Sequence, residues 1–263
     1  MRRMKGSERH NAGDWVLGKG NLQRYAGDVV GFRYFGGDEQ EEGFHNQRQV
    51  PSFPILGHAP IIWMFRNTTD VDANAWTITE VGAGTQLALQ DEMGGIAKAT
   101  TGAVDDNYQR YFSLSECAQI SAEGVITLHT KVRILEPIQC DAFIGLCERG
   151  VDPIAGRQNA VGFYLSDGSA LIRVESNSGG SSEQESSGVS AVADTWVELT
   201  INIVCNPDEG TQNINFFIDH VFIAAHVTNI PSAAMAFCFA IQNGEGSANE
   251  LSLGTTYLIK DIA

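Results

Sequence analysis

The chain has 263 residues, of which 43% are hydrophobic and 19% are charged, and its formal net charge is −15. Binding to nucleic acid phosphates requires a basic surface, so this charge excludes nucleic acid as the main ligand. No stretch approaches the roughly 18 consecutive apolar residues of a membrane helix, so no membrane partner is predicted.

The charge is divided unevenly along the chain. Residues 1–66 contain nine of the 17 Lys and Arg residues and seven of the 32 acidic residues, a net charge of +2, whereas residues 67–263 carry −17. The first residues form a basic patch with no apolar run behind it, so no secretion signal is predicted. A mildly basic leader therefore precedes a strongly acidic body.

Residues 1–55 show no sustained periodicity, yet they contain isolated large aromatic residues. Disordered tails are usually poor in aromatic residues, and a polar segment with single large anchors is typical of an arm that becomes ordered on another surface. We predict an extended N-terminal assembly arm over residues 1–55; the alternative is a leader that packs on its own domain. The predicted anchors are Trp15, Tyr25, Phe32, Tyr34 and Phe35.

Short strands with turn residues between them occupy the rest of the chain, and no segment keeps helical spacing over ten residues. This pattern predicts an all-β domain over residues 56–263, built as a two-sheet antiparallel jelly-roll sandwich. Before and after a central meander, the predicted strands are Ile61–Phe65, Trp76–Val81, Gln86–Gln90, Ile96–Thr101, Tyr108–Leu114, Val125–Leu135, Ala142–Cys147, Val161–Leu165, Ala170–Glu175, Ala234–Ile241 and Thr255–Ile262.

Two further features of the body lead to expectations. The segment 176–188 is small, polar and of low complexity, which predicts a mobile surface loop. The five cysteines lie mostly in apolar strand runs and form no C-x-x-C pair, so we interpret them as buried free thiols of a protein made in a reducing compartment.

The central meander runs from Thr195 to Val227. Apolar residues alternate strictly from Val197 to Ile203, which is typical of a half-buried strand. A turn cluster at 206–210 precedes a second strand through Ile218, and the chain turns again near Asp219-His220 into a third strand.

The polar face of this meander is a candidate binding surface. Aromatic rings stack on sugars, and the interleaved amide, carboxylate and imidazole groups can bind sugar hydroxyls, so this face is suited to carbohydrate. A partly hydrated subunit interface uses the same residue types, and a plain solvated face contains them too. Strict alternation places eight residues there: Trp196, Glu198, Asn202, Asn215, Phe217, Asp219, Phe222 and His226.

The motif Trp196-x-x-Leu199-x-Ile201, followed by Phe216-Phe217-Ile218-Asp219-His220 and Phe222-Ile223-Ala224, resembles the concanavalin A-like lectin/glucanase superfamily. Many of its domains have W-x-x-[LI]-x-[IV] and then [FY]-x-[IV]-D-G. This chain has His220 at the position where glycine is usual. The resemblance implies a two-sheet jelly roll with a sugar-binding or assembly function.

A second pattern resembles the opening of concanavalin-like virion proteins of tailed bacteriophages. It comprises a W-x-[IV] strand at Trp76, a Gly-rich turn, Gly94-Gly95, the pair Thr100-Thr101 and the turn at 105–107. The resemblance implies a non-enzymatic capsid decoration or cement protein, located in the virion and made in the host cytoplasm. Its implied partners are the major capsid protein or other virion proteins and further copies of itself, with a trimer as the expected order. A lectin-like module of a phage head or tail fibre is the alternative.

No catalytic residues, metal site or cofactor are predicted. Retaining glycosidases place two carboxyl groups about 5–5.5 Å apart, and the E-x-D-x-x-E strand pattern that does this in related glucanases is absent. The pairs Asp38/Glu42 and Asp194/Glu198 have the closest spacing, and we expect Asp194 to hold the turn before its strand. G-x-S-x-G and H-E-x-x-H do not occur. A calcium-binding loop at Asp208, Glu209 and Asp219 is left open as an alternative, without a spaced D-x-D-x-D-G motif.

Overall fold

The structure is a computed structural model that describes residues 76–82, 84–90, 96–114, 116–120, 124–206 and 211–261, together with three short strands nearer the N-terminus. The chain divides into two units, Met1–His58 and Ala59–Ala263. The predicted arm anchors Trp15, Tyr25, Phe32, Tyr34 and Phe35 lie outside the described residues, as do the acidic residues Asp38, Glu42, Asp208 and Glu209.

Every regular element among the described residues is a strand. The strands, numbered in chain order, are β1 (Gln23–Arg24), β2 (Val30–Gly31), β3 (Ile61–Trp63), β4 (Trp76–Val81), β5 (Thr85–Gln90), β6 (Ile96–Thr100), β7 (Tyr108–Ser113), β8 (Ala118–Gln119), β9 (Gly124–Ile134), β10 (Cys140–Cys147), β11 (Asn159–Ser166), β12 (Ser169–Ser178), β13 (Ser181–Ser190), β14 (Val197–Asn206), β15 (Thr211–Ile218), β16 (Val221–His226), β17 (Ala234–Asn243) and β18 (Glu250–Asp261).

The body consists of two antiparallel sheets. Sheet I has the order β13-β12-β11-β10-β17-β7-β4, with β8 paired to β17. Sheet II has the order β16-β15-β14-β9-β18-β6-β5, with β3 paired to β18. The prediction of an all-β, two-sheet antiparallel sandwich is therefore confirmed.

The core lies between the inner faces of the sheets. In β9 buried and half-buried residues alternate from Ile126 to Ile134, as expected for a strand with one face covered. Phe163 of sheet I meets Phe216 of sheet II edge to face, with ring centroids 5.6 Å apart. Four of the five cysteines are buried and Cys117 is half-buried, and all five are free thiols.

The prediction of a mobile loop at 176–188 is wrong, because this segment belongs to a β-hairpin. Ser178 pairs with Ser181 across a two-residue turn, and the low-complexity residues continue as β13 at the edge of sheet I. Gly179 and Gly180 have φ of 59° and 90°, the left-handed values that a tight type I′ hairpin turn requires. An edge strand needs polar, mostly exposed side chains, so its composition resembles that of a loop.

Candidate functional site

The polar side chains of the meander form part of the outer face of sheet II. The buried side of β14 carries Leu199, Ile201 and Ile203, whereas Glu198 and Asn202 lie half-buried on the other side. Asn202 is directly opposite Asn215 of β15, and the amide nitrogen of Asn215 donates to the Asn202 carbonyl oxygen over 3.4 Å. The structure thus brings Glu198, Asn202 and Asn215 together on one face.

Phe217 and Phe222 lie next to each other on this outer face. They are opposite each other in β15 and β16, and their rings meet edge to face with centroids 5.7 Å apart. Phe217 is half-buried, whereas Phe222 remains 55% exposed.

His226 does not lie on the predicted outer face. Phe217 pairs with Phe222 but Phe216 pairs with Ala224, so Ile223 is an extra residue in β16. A bulge of this kind reverses which side of the sheet each following residue occupies. His226 is therefore fully buried on the core side, with its ring against Phe216.

Buried His226 has a side-chain partner across the core among the described residues. Its Nδ1 lies 3.0 Å from the hydroxyl oxygen of Ser176 in sheet I, and that hydroxyl also lies 3.2 Å from the Thr228 carbonyl oxygen. Burial lowers the pKa of His226, so the imidazole is neutral near pH 7. The residue connects the two sheets instead of presenting a group to a ligand.

A strained turn places His220 over the outer face. Asp219 and His220 have φ of 47° and 66°, left-handed values that are uncommon for residues other than glycine, although aspartate, asparagine and histidine adopt them more often than the rest. The Asp219 carboxylate accepts a hydrogen bond of 2.8 Å from the Glu198 backbone N–H, and the Asp219 N–H donates to the Glu198 carbonyl oxygen. Asp219 therefore holds the turn, and His220 supplies its imidazole.

Glu198 is the carboxylate at the centre of this arrangement. Its Oε2 lies 2.9 Å from Nε2 of His220, and its Oε1 lies 3.9 Å from Nζ of Lys131 on β9. The Glu198 side chain is 31% exposed, so it can reach a ligand while its position is held by these two groups.

Sequence reasoning missed His129 and Tyr257, which complete the cluster. The His129 ring stacks on Tyr257 with centroids 4.8 Å apart and is nearly parallel to His220 at 6.4 Å. His129 Nδ1 also lies 2.9 Å from the Thr200 hydroxyl oxygen. Alternation along β9 places His129 on the polar side, but nothing local indicates that β9 lies between β14 and β18.

Burial shifts the titration of both missed residues. It lowers the pKa of His129, an effect that the nearby Glu198 carboxylate partly opposes. Burial also raises the pKa of Tyr257 to about 12, with a further contribution from Glu198. Near pH 7 His129 is therefore a neutral imidazole, and Tyr257, which is 6% exposed, is a neutral phenol.

Trp196 lies at the margin of the same face, next to two cations of β9. The guanidinium of Arg133 is 4.9 Å from the ring centroid and the ammonium of Lys131 is 5.8 Å from it, within the range of cation–π attraction. The ring is half-buried and lies beside Gly254 of β18, where a Cβ would be 3.7 Å from it, an ordinary van der Waals distance.

The carboxylates of Asp194 and Glu198 have different partners. Asp194 has φ of 51° in the turn before β14, and its carboxylate lies 3.4 Å from Nε of Arg133. Glu198 instead faces His220 and Lys131. Asp194 thus has the turn-holding position that its sequence context indicates.

Comparison with known proteins gives the same architecture. No protein-family profile and no curated protein sequence matches the chain. Among solved structures, an endo-1,3-beta-glucanase from Streptomyces sioyaensis superposes with a TM-score of 0.61 at 8% identity, covering 80% of this chain and 99% of the glucanase. A native glycosidic hydrolase gives 0.52 at 11% identity, covering 80% and 100%. The Emp46p carbohydrate recognition domain, in its metal-free form, gives 0.50 at 10% identity, covering 74% and 95%.

The chain has the concanavalin A-like fold. Structural similarity at sequence identities this low establishes the fold alone, so function has to be argued from the site itself.

The outer face of sheet I in this concanavalin A-like sandwich is covered at its centre. Beneath the segment 148–158 lies a second apolar cluster, which includes Phe143, Cys147 and Cys238. Arg157 of that segment pairs with the buried Glu175 at 2.8 Å, and its guanidinium is 4.9 Å from the Tyr164 ring centroid. The outer face of sheet I thus carries a packed segment at its centre, whereas Phe222 on the outer face of sheet II is 55% exposed.

Two further observations concern metal ions and membranes. Among the described residues, no group of three or more His, Cys, Asp or Glu side chains is arranged to hold a metal ion. Of the three residues considered for a calcium-binding loop, only Asp219 lies among the described residues. Its carboxylate accepts a hydrogen bond from the Glu198 backbone N–H. Within the same part of the chain, no helix is long and apolar enough to cross a membrane.

Proposed function

We propose that this protein is a non-enzymatic carbohydrate-binding module, and that the outer face of sheet II around Glu198 binds the sugar. The observation that carries the proposal is His220, which adopts a left-handed backbone conformation and directs its imidazole to the Glu198 carboxylate 2.9 Å away. Strain at a non-glycine residue is characteristic of functional sites, because the rest of the structure must hold it.

The chemistry of the neighbours supports a sugar ligand. A carboxylate, two imidazoles and the Thr200 hydroxyl can exchange hydrogen bonds with sugar hydroxyls, and Trp196 supplies a large ring at the edge. The superposed proteins include a glucanase, a glycosidic hydrolase and a carbohydrate recognition domain, which makes neutral β-linked glucose oligomers a reasonable first probe.

The absence of enzymatic activity is part of the proposal. Glu198 is held by a cation and an imidazole, and the closest carboxylate in sequence, Asp194, is engaged with Arg133. A retaining or inverting glycosidase needs a second carboxyl group across the scissile bond. We expect incubation with bound glycans to release no reducing sugar.

A glycan array, followed by calorimetry on the glycans that bind, tests the proposal. Glu198→Gln removes the charge but keeps the size, and we expect it to weaken binding about tenfold or more, since hydrogen bonds to a charged group are the stronger ones. Glu185→Gln on the exposed edge strand β13 makes the same charge change on the other sheet and is the matched control. Equal affinities of the two variants, or an array without a bound glycan, would refute the proposal.

A role in a virion is the second candidate function, and the uneven charge favours it. We propose that residues 1–55 dock on the major capsid protein or another virion protein, or on a further copy of the chain in a homo-oligomer such as a trimer. A basic arm with large anchors is suited to such a surface, and the acidic body would then project from it. Deleting residues 1–50 should abolish attachment to a capsid shell while the body still melts cooperatively; retained attachment would refute this role.

A further inference from the structure

Exposed aliphatic side chains are concentrated at one end of the sandwich, which we call the loop end. The strand register brings the following connections to it: 101–107, 135–139, 167–168, 191–196, 219–220 and 244–249. Strand β4 ends there as well. Among the described residues eight large hydrophobic side chains are exposed, and five of them lie at the loop end: Val81, Val104, Ile138, Val192 and Val221.

Four of these aliphatic residues form a row that follows the strand order of sheet II. Val221 begins β16, Val192 precedes β14, Ile138 follows β9 and Val104 follows β6. Adjacent strands are about 4.8 Å apart, so the row extends about 24 Å from β16 to β6. An extended polypeptide rises about 3.3 Å per residue, so a segment of about seven residues spans it.

Carboxylates surround the middle of this row. The stretches 101–107, 135–141, 167–168 and 244–249 contain no Lys or Arg and the following six acidic residues: Asp105, Asp106, Glu136, Asp141, Asp167 and Glu245. Burial raises the pKa of Asp141, and the nearby carboxylates of Asp167 and Asp106 add to this increase. A negative surface with an aliphatic row fits a partner that brings both cations and apolar side chains.

Hydrogen bonds hold these connections together. The Gly244 N–H donates to the Gln139 carbonyl oxygen over 3.0 Å. The Glu136 N–H donates to the side-chain oxygen of Asn249, also over 3.0 Å. The surface is therefore formed before a partner arrives, which reduces the ordering cost of binding on this side of the contact.

An unpaired acceptor lies beneath the loop end. The Asn243 side chain lies between two connections, where its amide nitrogen donates to the carbonyl oxygens of Val104 and Glu245. Asn243 is 1% exposed, and among the described residues its side-chain oxygen has no hydrogen-bond partner. Buried amide oxygens are normally paired, so this one is a candidate acceptor for a guanidinium or ammonium N–H of a docked segment.

We propose that the loop end binds residues 1–35 of a second copy of the chain. The inference rests on the second candidate function, in which the arm docks on a neighbour, and it names the surface that receives the arm. Residues 1–35 contain seven Lys and Arg against three acidic residues, together with the predicted anchors Trp15, Tyr25, Phe32, Tyr34 and Phe35. Their positive charge complements the loop end, and their large apolar side chains suit its aliphatic row.

The contact is heterologous, because two different surfaces meet in it. Contacts of this kind produce closed rings or open chains of subunits, and a ring of three agrees with the expected trimer. A symmetric contact between two loop ends would instead bring like charges together, which is unfavourable.

Sedimentation equilibrium of the full-length protein tests the inference. We expect self-association that weakens about tenfold or more between about 0.1 M and about 0.5 M salt, because salt screens exposed charges. Val104→Ser combined with Ile138→Ser should also weaken it about tenfold or more, the effect of truncating interface anchors. The matched control is Val227→Ser combined with Leu114→Ser, at exposed residues outside the loop end, and it should associate as the wild type does.

A mixing experiment identifies the two surfaces. Arg24→Glu combined with Arg33→Glu reverses two charges of the arm and leaves the loop end intact, whereas the variant at Val104 and Ile138 keeps an intact arm. Each variant alone should remain monomeric at concentrations at which the wild type associates. Their mixture should form a one-to-one complex, because the intact arm of one docks on the intact loop end of the other.

The outcomes separate this inference from the role of the arm in a virion. A wild type that is monomeric at about 100 µM, a control variant that weakens association as much as the loop-end variant, or a mixture that stays monomeric overturns the inference. If deletion of residues 1–50 still abolishes attachment to a capsid shell, the virion role stands with a shell protein as the partner of the arm. A monomeric wild type whose deletion variant still attaches to the shell overturns both.

Discussion

Nε2 of His220 lies 2.9 Å from Oε2 of Glu198, although His220 belongs to a turn and Glu198 to a strand 22 residues earlier. The contact requires His220 to keep a φ of 66°, a conformation that glycine adopts without strain. The left-handed conformation of His220 thus lowers the stability of the turn but places an imidazole at the site.

Because His220 affects both backbone stability and the site, His220→Gly separates the two effects. We expect the variant to be as stable as the wild type or more stable by about 1 kcal/mol, because glycine relieves the left-handed strain. Its glycan affinity should fall, because the Glu198 partner is lost. Urea unfolding and calorimetry measure the two effects on the same sample.

A matched variant tests the cause of that effect. His220→Asn tolerates the left-handed conformation but cannot place a ring beside His129. Its affinity should fall as in the glycine variant, with wild-type stability. Loss of stability in both variants, with unchanged affinity, would show that His220 has a structural role only.

The buried ion pair of Arg157 and Glu175 leads to a second prediction. The Glu175 side chain is 2% exposed and Arg157 is 14% exposed, so Arg157→Ala would leave a carboxylate buried without its cation. Breaking a buried pair in this way costs about 3–5 kcal/mol. Equilibrium unfolding in urea should show this loss, and the double variant with Glu175→Gln should recover part of it. A cost below about 1 kcal/mol, as for exposed pairs, would contradict this account.

Buried His226 should make stability depend on pH. Its folded pKa is lowered by burial, so as the pH falls below about 6.5 the unfolded chain binds a proton that the folded chain does not. The free energy of unfolding should therefore decrease from neutral pH to about pH 5.5. His129 contributes in the same direction, because its pKa is also lowered.

His226→Leu isolates the contribution of His226. The variant removes the titrating ring and leaves the Ser176 hydroxyl within reach of the Thr228 carbonyl oxygen, 3.2 Å away. Its unfolding free energy should vary less steeply with pH over this interval than that of the wild type. Identical slopes would assign the pH dependence to other groups.

The five cysteines should react slowly in the native protein. Burial raises the pKa of Cys140 and of Cys147 to about 12, and it also raises the pKa of the fully buried Cys238. The thiolate is the reactive form, so little of it is present at pH 8. A thiol reagent should modify Cys117 first under native conditions and all five cysteines after denaturation in a reducing buffer. A denatured count of three or one would reveal disulfides.

Much of the fold could be predicted because strand patterning is local. The alternation at Val197–Ile203 assigns each side chain to one of two faces regardless of what packs against the strand, and the observed β14 has this alternation. The same alternation placed Glu198, Asn202, Asn215 and Phe217 on the outer face, where the structure has them.

The tertiary structure decided the features that depend on distant parts of the chain. The bulge at Ile223 moved His226 into the core, and only the pairing of β16 with β15 shows this extra residue. His129 and Tyr257 joined the site because β9 and β18 lie side by side next to β14, although their residues are separated by more than 100 positions. Hydrogen bonds between strands depend on backbone groups that every residue shares, so strand order is chosen by packing of the whole sandwich and not by any one segment.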